Sequence, residues 1–407
     1  MAEASSLKIL MVCEFFDEAL DYQENFLAKT YHRLGHDVVI VTSTAGSVFD
    51  YTVDRSGAQV DHGETRTEYA RIIRRPWKVN ILHKLKWFGG LGPLIEREAP
   101  DLVYIHDIMP DMLDALPYVR RNPHVRMIMD YHSDLTNSGV NLLSRLVLHG
   151  VIRKAILDLS RPHLSKIFPI VPASTDFLKT YYRVPDREME LLPLGVDLVA
   201  SRAARASDAR ARIRRTLGIP DEALVVFTGG KMGWIKRSEE TLHALRRLND
   251  PNVHLIVVGK VGGLGADEAF AAMMAEAAEG LDNAHLVGWQ DRQGVYDHMA
   301  AADVAVYPAS QSVLWQQSLG MGLPLVVGER GPGMKVRQDV SYMAGLGAVT
   351  VLDDQGDVAA QIADLLAGFR NDPGSLARAK RAALETAETV LDYEKVAAQT
   401  LRFNSPT

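Results

Sequence analysis

Short apolar runs alternate with amphipathic helical patterns along nearly the whole chain. In the first half the runs are LKILMVC, HDVVIVTS, PDLVYIHD and VRMIMDYH, and in the second half they are ALVVFTGG, HLIVVGKV, NAHLVGW, DVAVYPA and LPLVVGE. Their length and β-branched content are typical of buried strands. Helical periodicity lies between them, as at 22–34, 238–249 and 292–302. The alternation predicts a doubly wound α/β fold, in which parallel sheets carry helices on both faces.

A chain of 407 residues exceeds the size of one ordinary hydrophobic core. The rhythm of strands and helices starts again after LLPLGVDLVA, so we predict a Rossmann-like domain over 1–198 and a second over 199–385. A last amphipathic helix within 386–407 is expected to pack back on the N-terminal domain. The carboxyl ends of the strands in two such domains are expected to converge on an interdomain cleft. The Ala/Arg-rich stretch 199–216 predicts one solvent-exposed helix.

The charge balance limits the class of partner. A net charge of −6 and a sequence pI near 6.1 argue against a protein that binds nucleic acid. The single cysteine, Cys13, excludes an intramolecular disulfide and lies in an apolar run, which favours a buried structural thiol in a reducing compartment. The N-terminal apolar run is short and lacks a basic leader, and no run approaches about 18 residues. We therefore expect a soluble cytoplasmic protein.

The stretch VVFTGGKMGWIKRSEETLHAL places glycines and cations where a strand gives way to a helix. Gly230 would let backbone amides approach an anion, Lys231 and Lys236 would supply positive charge, and Ser238 is expected to cap the helix. The two lysines could flank a phosphate or a diphosphate. The alternative is that both are solvated loop residues, because a glycine–lysine loop without a Walker pattern is a weak signal.

A second polar stretch, MIMDYHSDLTNSG, delivers Asp130 and His132 at the end of a predicted strand. His132 could donate to a substrate or satisfy a loop carbonyl, and the residues alone leave both open. The stretch YIHDIMPD repeats the pattern with His106. The chain has no HExxH, no paired CxxC, no GxSxG with suitable partners and no GxGxxG after the first strand. Zinc hydrolase, serine hydrolase and dinucleotide-dependent oxidoreductase chemistry therefore lack support.

These blocks together resemble the retaining, nucleotide-sugar-dependent glycosyltransferases of the GT-B fold, in particular the large family 4 group, over nearly the whole chain. YQENFLAKTYHRLGHDVVIVTS is similar to the family's first helix and second strand, YHSDL to its histidine motif, and LLPLGVDL to its linker signature. GGKMGWIKR stands where the family has Gly-Arg-Leu-x-x-x-Lys. The most specific match is NAHLVGWQDRQGVYDHMAAADVAVYPAS, which follows the ordered block Phe-x-Gly … Leu-Tyr-x-x-Ala-Asp … Pro-Ser.

The resemblance implies roles for the matching positions. Lys231, in place of the family's arginine, and Lys236 would hold the donor diphosphate and stabilise the leaving nucleotide. His132 would contact the transferred sugar near the reacting carbon, and the backbone around Val287 and Gly288 would meet the nucleobase. Transfer would retain the anomeric configuration through an oxocarbenium-like state. Neither a metal nor an organic cofactor is expected, because cationic side chains and amides would neutralise the phosphates.

The family's Glu-x7-Glu motif is missing from this chain. Counting back from Pro324 puts Gln317 at the second glutamate, which in relatives accepts hydrogen bonds from ribose hydroxyls, and Ala309 at the first. Glutamine keeps a carbonyl acceptor but loses the charge. The residues that follow would complete the donor site. A side chain of Ser310, Gln311 or Ser312 would replace the first glutamate, and the backbone amides of Ser312, Val313 and Leu314 would bind phosphate.

A second departure lies at the start of the first helix, where many relatives carry a Gly-Gly phosphate loop. This chain has DYQEN there, and Tyr22, Gln23 and Glu24 are expected to face the acceptor or the donor.

The basic and apolar stretches 77–90 and 141–168 fit two interpretations. They predict either a core-packed helix with a solvated basic edge or contact with the inner face of a membrane to reach a lipid-linked acceptor.

Two functions are consistent with these motifs. The first is an active transferase that moves a sugar from a nucleotide-diphosphate donor to a hydroxyl of a glycan, a glycolipid or a small metabolite. The second is a non-catalytic GT-B module that binds a sugar nucleotide or assists a partner enzyme. The cations at 231 and 236, His132 and the Gly-Val-Asp linker favour the first.

Overall fold

The computed structural model describes residues 6–19, 22–46, 51, 61–135, 138–139, 142, 144–230, 232–259, 268–309, 312–334 and 337–402. The chain divides into two compact units. The first consists of Met1–Leu194 together with Tyr393–Thr407, and the second of Gly195–Asp392. The boundary predicted at 385 falls inside the helix Pro373–Thr389, four residues before that helix ends.

The first unit is built on a mostly parallel sheet. The described strands of this unit are β1 (Lys8–Val12), β2 (Asp37–Ser43), β3 (Gly63–Arg66), β4 (Arg71–Arg75), β5 (Val79–Ile81), β6 (Leu85–Trp87), β7 (Leu102–His106), β8 (Arg126–Tyr131) and β9 (Lys166–Pro169). Of these, β5 and β6 form a separate hairpin. The order across the sheet is β3-β4-β2-β1-β7-β8-β9. Among the described pairs of this seven-stranded sheet, β3–β4 is antiparallel and the others are parallel.

The central strands of this sheet are buried on both faces. Leu10 and Val12 of β1 pack in one hydrophobic core, whereas Ile9 and Met11 pack in the other. Successive side chains of a strand point to opposite faces, so a strand covered on both sides needs apolar residues at every position. This requirement explains the continuous apolar runs in the sequence.

Helices cover this sheet. In chain order they are α1 (Gln23–Arg33), α2 (Gly92–Glu98), α3 (Asp111–Arg121), a π-helical segment (Ser144–Arg153), α4 (Lys154–Ser160), α5 (Pro172–Phe177) and a second π-helical segment (Leu178–Tyr182). The last helix, Tyr393–Leu401, belongs to the same unit. The ring of Tyr393 stacks on Phe26 of α1 with centroids 4.6 Å apart, and the hydroxyls of Tyr31 and Thr400 are hydrogen-bonded at 2.5 Å.

The second unit contains a parallel sheet of its own. The described strands are β10 (Leu224–Gly229), β11 (Val253–Val258), β12 (Ala284–Gly288), β13 (Val304–Tyr307), β14 (Leu325–Gly328) and β15 (Val349–Leu352), in the order β12-β11-β10-β13-β14-β15. The direction of strand succession reverses between β10 and β13, as it does between β1 and β7 in the first unit. Ligands of open α/β sheets bind beyond the carboxyl ends of the strands at such reversals.

The helices of the second unit are α6 (Leu198–Ala206), α7 (Ala209–Thr216), α8 (Glu239–Leu248), α9 (Glu268–Ala278), α10 (Arg292–Ala301), α11 (Leu314–Gly320), α12 (Ser341–Ala344), α13 (Val358–Asn371) and α14 (Pro373–Thr389). Each unit is therefore a Rossmann-like, doubly wound α/β domain, which confirms the predicted fold class.

The prediction of one solvated helix over 199–216 is wrong. The stretch forms two helices, α6 and α7, with the break at Ser207 and Asp208. Arg214 of α7 is buried and donates to Asp303 at 2.7 Å and to several backbone carbonyls. A buried carboxylate needs such a partner, and this pairing ties the helix to the strand that follows Asp303.

The hairpin of β5 and β6 was not predicted, because its strands are three residues long. Its turn places Leu82 and His83 at φ values of 51° and 58°. The ammonium group of Lys86, in β6, lies 5.2–5.3 Å from three ring centroids, those of Phe15, Tyr51 and Trp77.

Within the described parts of the chain, no helix is long and apolar enough to cross a bilayer.

Candidate active site

A cavity of about 580 Å³ lies at the strand reversal of the second unit. It is lined by residues at or beyond the carboxyl ends of β10, β11, β12 and β13 (Gly230, Lys236, Val258, Gly259, Trp289, Gln290, Val295, Ser312, Val313 and Leu314). The loops approach closely, since a Cβ atom on Gly230 would lie 3.3 Å from the Ser312 hydroxyl. A Cβ atom on Gly259 would lie 2.3 Å from the carbonyl oxygen of Gly230. Glycine is therefore required at 259.

Lys236 ends a short 3-10 turn, Trp234–Lys236, on the wall of this cavity. Burial lowers the pKa of its ammonium group from the usual 10.5 to about 8. Burial disfavours the charged form of the ammonium group, and an anion bound beside it would favour that form again. The neighbouring Arg237 is ion-paired with Glu240 at 2.7 Å.

Ser238 does not cap α8 as predicted. The residue has helical torsion angles and its side chain makes no capping hydrogen bond, whereas its carbonyl accepts from the Thr241 hydroxyl at 2.6 Å. The left-handed conformation of Arg237, with φ of 52°, turns the chain into the helix instead. The acidic residues Glu239 and Glu240 occupy the first helical turn, where the helix dipole favours negative charge.

The stretch that follows β13 carries the remaining donor-site predictions. Ser312, Val313 and Leu314 line the cavity, and the Ser312 hydroxyl accepts from the Leu314 amide at 3.3 Å. Gln317 lies on α11 with a partly exposed side chain. Its neighbour Gln316 is fully buried. Three predicted site residues, Lys231, Ser310 and Gln311, lie outside the described residues.

The predicted nucleobase contact lies at the end of β12. The carbonyl of Val287 accepts from the Gln290 amide group at 3.1 Å, and that of Gly288 accepts from the Gly259 amide at 2.9 Å. Both carbonyls are thus engaged within the protein. The next residue, Trp289, lines the cavity with 70% of its surface exposed. An exposed indole at the edge of a cavity is a stacking surface for a flat ring. The residue was missed because one tryptophan after a strand carries no distinctive sequence signal.

Three polar side chains of the first unit converge beside its strand reversal. Asp130 Oδ2 lies 3.0 Å from Nδ1 of His106 and 2.8 Å from Nε2 of His132, and it accepts from the Tyr104 hydroxyl at 2.8 Å. Asp130 is fully buried, whereas both histidine side chains are partly exposed. The parallel pairing of β7 with β8 brings His106 directly opposite Asp130.

The charges of this cluster are coupled. Burial works against both the Asp130 carboxylate and a charged His106, but their attraction is stronger. The pKa of Asp130 therefore lies well below its usual range, held there by His106 and His132. The pKa of His106 is raised to about 10 by Asp130, with Glu24 and Asp107 contributing. At neutral pH the cluster thus contains a carboxylate and a doubly protonated His106.

The same three side chains have the residue types of a metal site. Their possible ligand atoms lie within 4.8 Å of one another. Among the described residues, these three form the one group of histidines and carboxylates close enough together to hold a metal ion. Asp130 Oδ2, however, already faces three hydrogen-bond donors, and its Oδ1 accepts from the backbone amide of Asp107 at 3.3 Å. Internal hydrogen bonds therefore satisfy the carboxylate without an ion.

The loop predicted to face a substrate lies at the start of α1, in the same unit. Gln23 and Glu24 are buried, and neither amide atom of Gln23 finds a hydrogen-bond partner among the described residues. Burial and then the charge of Glu24 raise the pKa of Tyr22 to about 12. The charge of Glu24 also raises the pKa of His106, so the Glu24 carboxylate lies near the cluster formed by Asp130 and the two histidines.

Two family models match the chain in sequence and together cover most of it. The model described as Glycosyltransferase Family 4 matches residues 26–199, and the model described as Glycosyl transferases group 1 matches residues 222–368. The chain belongs to the family 4 glycosyltransferases. No curated protein matches it significantly in sequence.

Solved structures similar to this glycosyltransferase share its fold at low identity. A glycosyltransferase from Rickettsia africae ESF-5 is 12% identical with a TM-score of 0.68 and covers 98% of each chain. HepE from Anabaena in complex with UDP is 16% identical with a TM-score of 0.64, over 97% of this chain and 98% of that one. WaaG, a glycosyltransferase involved in lipopolysaccharide biosynthesis, is 16% identical with a TM-score of 0.61, over 98% and 100%. The two Rossmann-like domains are thus those of the GT-B fold.

Proposed function

We propose that this glycosyltransferase moves a sugar from a nucleotide-diphosphate donor to a hydroxyl acceptor with retention of anomeric configuration. The observation that carries the proposal is the position of the buried Lys236 on the wall of a cavity at the strand reversal of the second unit. HepE, which shares the fold, has been crystallised with UDP and with UDP-glucose. A uridine diphosphate sugar is therefore the first donor to test.

Lys236 would act on the donor diphosphate. As the bond between the anomeric carbon and the diphosphate oxygen breaks, negative charge grows on the leaving phosphate, and a nearby ammonium group lowers the energy of that state. Backbone amides at Ser312 and Val313 would add hydrogen bonds to the same oxygens. Metal-independent transfer follows as part of the proposal, because these groups can balance the diphosphate charge.

The acceptor would attack from the face that the diphosphate leaves. Its hydroxyl oxygen forms the new bond to the anomeric carbon, and the hydroxyl proton passes to an oxygen of the departing phosphate. The sugar passes through an oxocarbenium-like state, which His132 would contact. Retention of configuration follows because bond breaking and bond formation share one face of the ring.

Gln317 would accept hydrogen bonds from the ribose hydroxyls in place of the family's glutamate. Its side chain makes no hydrogen bond with the described residues, and it is partly exposed on α11. A neutral carbonyl is a weaker acceptor than a carboxylate, so ribose binding should be weaker than in relatives that keep the glutamate.

Transferase activity can be tested with a panel of UDP, GDP and ADP sugars, with nucleotide release as the readout and a crude lipid and glycan fraction as acceptor. We expect release with at least one donor, and loss of release in Lys236→Ala. NMR of the isolated product would give its anomeric configuration. Nucleotide binding without release from any donor would instead support the non-catalytic module.

We also propose that the first unit contacts a membrane peripherally at its apolar surface. Leu146 and Val151 of the π-helical segment Ser144–Arg153 are 60% and 62% exposed, and Leu82 at the hairpin tip is 81% exposed. The Arg153 guanidinium donates to the Lys84 carbonyl at 3.4 Å, which joins the helix to the hairpin. Exposed aliphatic side chains on neighbouring elements are typical of a surface that enters a lipid interface.

Several basic residues expected at this surface are paired internally, as with Lys154 and Asp158. Apolar contact should therefore contribute more to binding than charge does. Cosedimentation with vesicles of phosphatidylglycerol and phosphatidylethanolamine should fall strongly in Leu146→Glu with Val151→Glu. Val199→Glu, which alters an equally exposed side chain in the second unit, is the matched control. Equal cosedimentation of both variants would overturn the membrane proposal.

A further inference from the structure

A single carboxylate oxygen of the first unit organises two imidazole rings. Asp130 Oδ2 faces Nδ1 of His106 at 3.0 Å, Nε2 of His132 at 2.8 Å and the Tyr104 hydroxyl at 2.8 Å. The two imidazole centroids are 4.3 Å apart. A buried carboxylate with this many donors is held in one orientation, and it holds its partners in turn.

The proton positions follow from the partners. Because Asp130 is ionised, each ring nitrogen that faces it must carry a hydrogen atom, and we assign the protons on that basis. His106 is charged and balances the carboxylate. His132 is then bonded to the carboxylate through the hydrogen on Nε2, so Asp130 sets which nitrogen of that ring carries the hydrogen.

We propose that Asp130 is a positioning residue for the transfer reaction: it fixes the tautomer and the ring orientation of His132, while His106 supplies its counter-charge. The inference rests on the proposed function, in which His132 contacts the transferred sugar. A misplaced proton on this ring would present the wrong hydrogen-bonding group to the sugar hydroxyl. Loss of a carboxylate that sets a histidine tautomer is costly in other enzymes, where it lowers turnover by orders of magnitude.

The groups around the cluster come from several elements. Tyr104 and His106 lie on β7, Asp107 follows it, and Glu24 lies on α1. Cys13, directly after β1, also lies within electrostatic reach of Asp130. The carboxylates of Glu24 and Asp107 favour a charged His106. When Asp130 alone is replaced by a neutral residue, His106 should therefore still be able to take up a second proton, but its pKa should be lower.

Histidine ring nitrogens report on this arrangement directly. In protein labelled with ¹⁵N-histidine, long-range ¹H–¹⁵N spectra distinguish the two neutral tautomers from the doubly protonated ring. We expect His106 to remain doubly protonated at pH 8 and His132 to carry its hydrogen on Nε2. In Asp130→Asn the His106 titration should move down in pH, and His132 should show a mixture of tautomers.

Kinetics of the same variant separate a positioning role from a structural one. Asp130→Asn should lower kcat at least about tenfold, change the pH profile and leave the donor KM within about twofold. Asp101→Asn is the matched control, since Asp101 lies at the amino end of β7, away from the histidines, where its Oδ2 accepts from the Lys8 amide at 2.7 Å. The control should change neither the histidine spectra nor the pH profile.

His106→Gln provides a second variant if Asp130→Asn does not fold, because His106 is partly exposed and its loss leaves the carboxylate bonded to Tyr104, His132 and the Asp107 amide. The His132 spectrum should then change, because His132 is the remaining imidazole partner of the carboxylate. Unchanged His132 tautomers in both variants would overturn the proposal. Stoichiometric uptake of Zn²⁺ by the wild-type cluster, lost in Asp130→Asn, would also overturn it, because a metal would then position the rings. If no donor is turned over, the proposed function fails, while the spectra still test the arrangement of the cluster.

Discussion

Gln316 and Gln317 are adjacent in α11 but occupy opposite environments. Gln316 is fully buried, and its Nε2 donates to the Tyr342 hydroxyl at 3.2 Å, while its Oε1 finds no partner among the described residues. Gln317 is partly exposed and faces away from that contact. Neighbouring positions of a helix differ by about 100° in direction, so only one of the two amides can serve a ligand. The structure is consistent with Gln317 in that role.

Replacing each glutamine by glutamate should have different effects. Gln316→Glu places a carboxylate in an apolar environment beside a hydroxyl and should lower the free energy of unfolding by about 3–5 kcal/mol at pH 8. Gln317→Glu should leave stability unchanged and retain nucleotide binding, since the acceptor geometry survives. Urea denaturation and UDP titration measure the two effects. Loss of UDP binding in Gln317→Glu would show that the amide group donates a required hydrogen bond.

Lys236→Ala should abolish turnover while the fold stays intact. Because the pKa of the ammonium group is about 8 in the ligand-free protein, a bound diphosphate should raise it and draw a proton from solution at pH 8.5. Calorimetry of UDP binding in two buffers of different ionisation enthalpy detects that uptake. The uptake should disappear in Lys236→Ala and persist in Arg237→Gln, whose arginine is paired with Glu240. Proton uptake that persists in Lys236→Ala would assign it to another group.

The same lysine should affect stability as a function of pH. Its folded pKa lies below the usual 10.5, so between about pH 8 and 10.5 the unfolded chain binds more protons than the folded protein does. Its contribution therefore makes the ligand-free protein more stable as the pH rises through that window. Lys236→Met should lack this increment, so its stability relative to the wild type should be greatest at pH 7.5 and should decline toward pH 10. A constant difference would indicate a normal lysine.

The sequence pattern was sufficient for the fold because buried parallel strands are continuous apolar runs. Strands without that signature were missed: all four residues of β3 are exposed, and β5 and β6 are short. The register of neighbouring strands could not be predicted from the sequence either. Nothing local in YIHD or MIMDYH shows that His106 and Asp130 are directly opposite one another in β7 and β8.

The candidate site was predicted only where motif and topology coincide. Lys236 and the residues at 312–314 follow strands that flank the reversal between β10 and β13, and the structure brings them to one cavity. Trp289 follows a strand as well, but its exposure depends on tertiary structure. The meeting of His132 with His106 likewise depends on a shared partner, Asp130, which the pairing of β7 with β8 places opposite His106.

Trp289→Ala should weaken UDP binding by about 1–3 kcal/mol, or roughly 5- to 150-fold, if the exposed indole stacks on the nucleobase. Trp289→Phe should restore most of the affinity, whereas Trp289→Leu, which is apolar but has no ring, should not. Quenching of tryptophan fluorescence during a UDP titration of the wild type measures the contact. Equal affinities for the Leu and Phe variants would show that hydrophobic cover, rather than stacking, is what the residue supplies.

Asp111→Asn should stabilise the protein at alkaline pH. Asp111 begins α3 and is buried, its Oδ2 accepts from the Phe88 amide at 3.3 Å, and its Oδ1 has no partner among the described residues. Burial raises the pKa of this carboxyl group to about 7, and the nearby Asp114 adds to the shift. A carboxyl group with a raised folded pKa contributes most to stability below its unfolded pKa, and that contribution is lost as the pH rises through the folded value.

The asparagine variant keeps the acceptor for Phe88 but carries no charge, so its stability relative to the wild type should rise between pH 5 and pH 8. Urea denaturation at both values measures the change. Asp114→Asn is the contrasting variant, because Asp114 accepts from the Trp87 indole and the Leu91 amide at 3.2 and 3.0 Å. Its loss should destabilise the protein at both pH values. A pH-independent effect of Asp111→Asn would mean that the carboxyl group is ionised in the folded protein throughout this range.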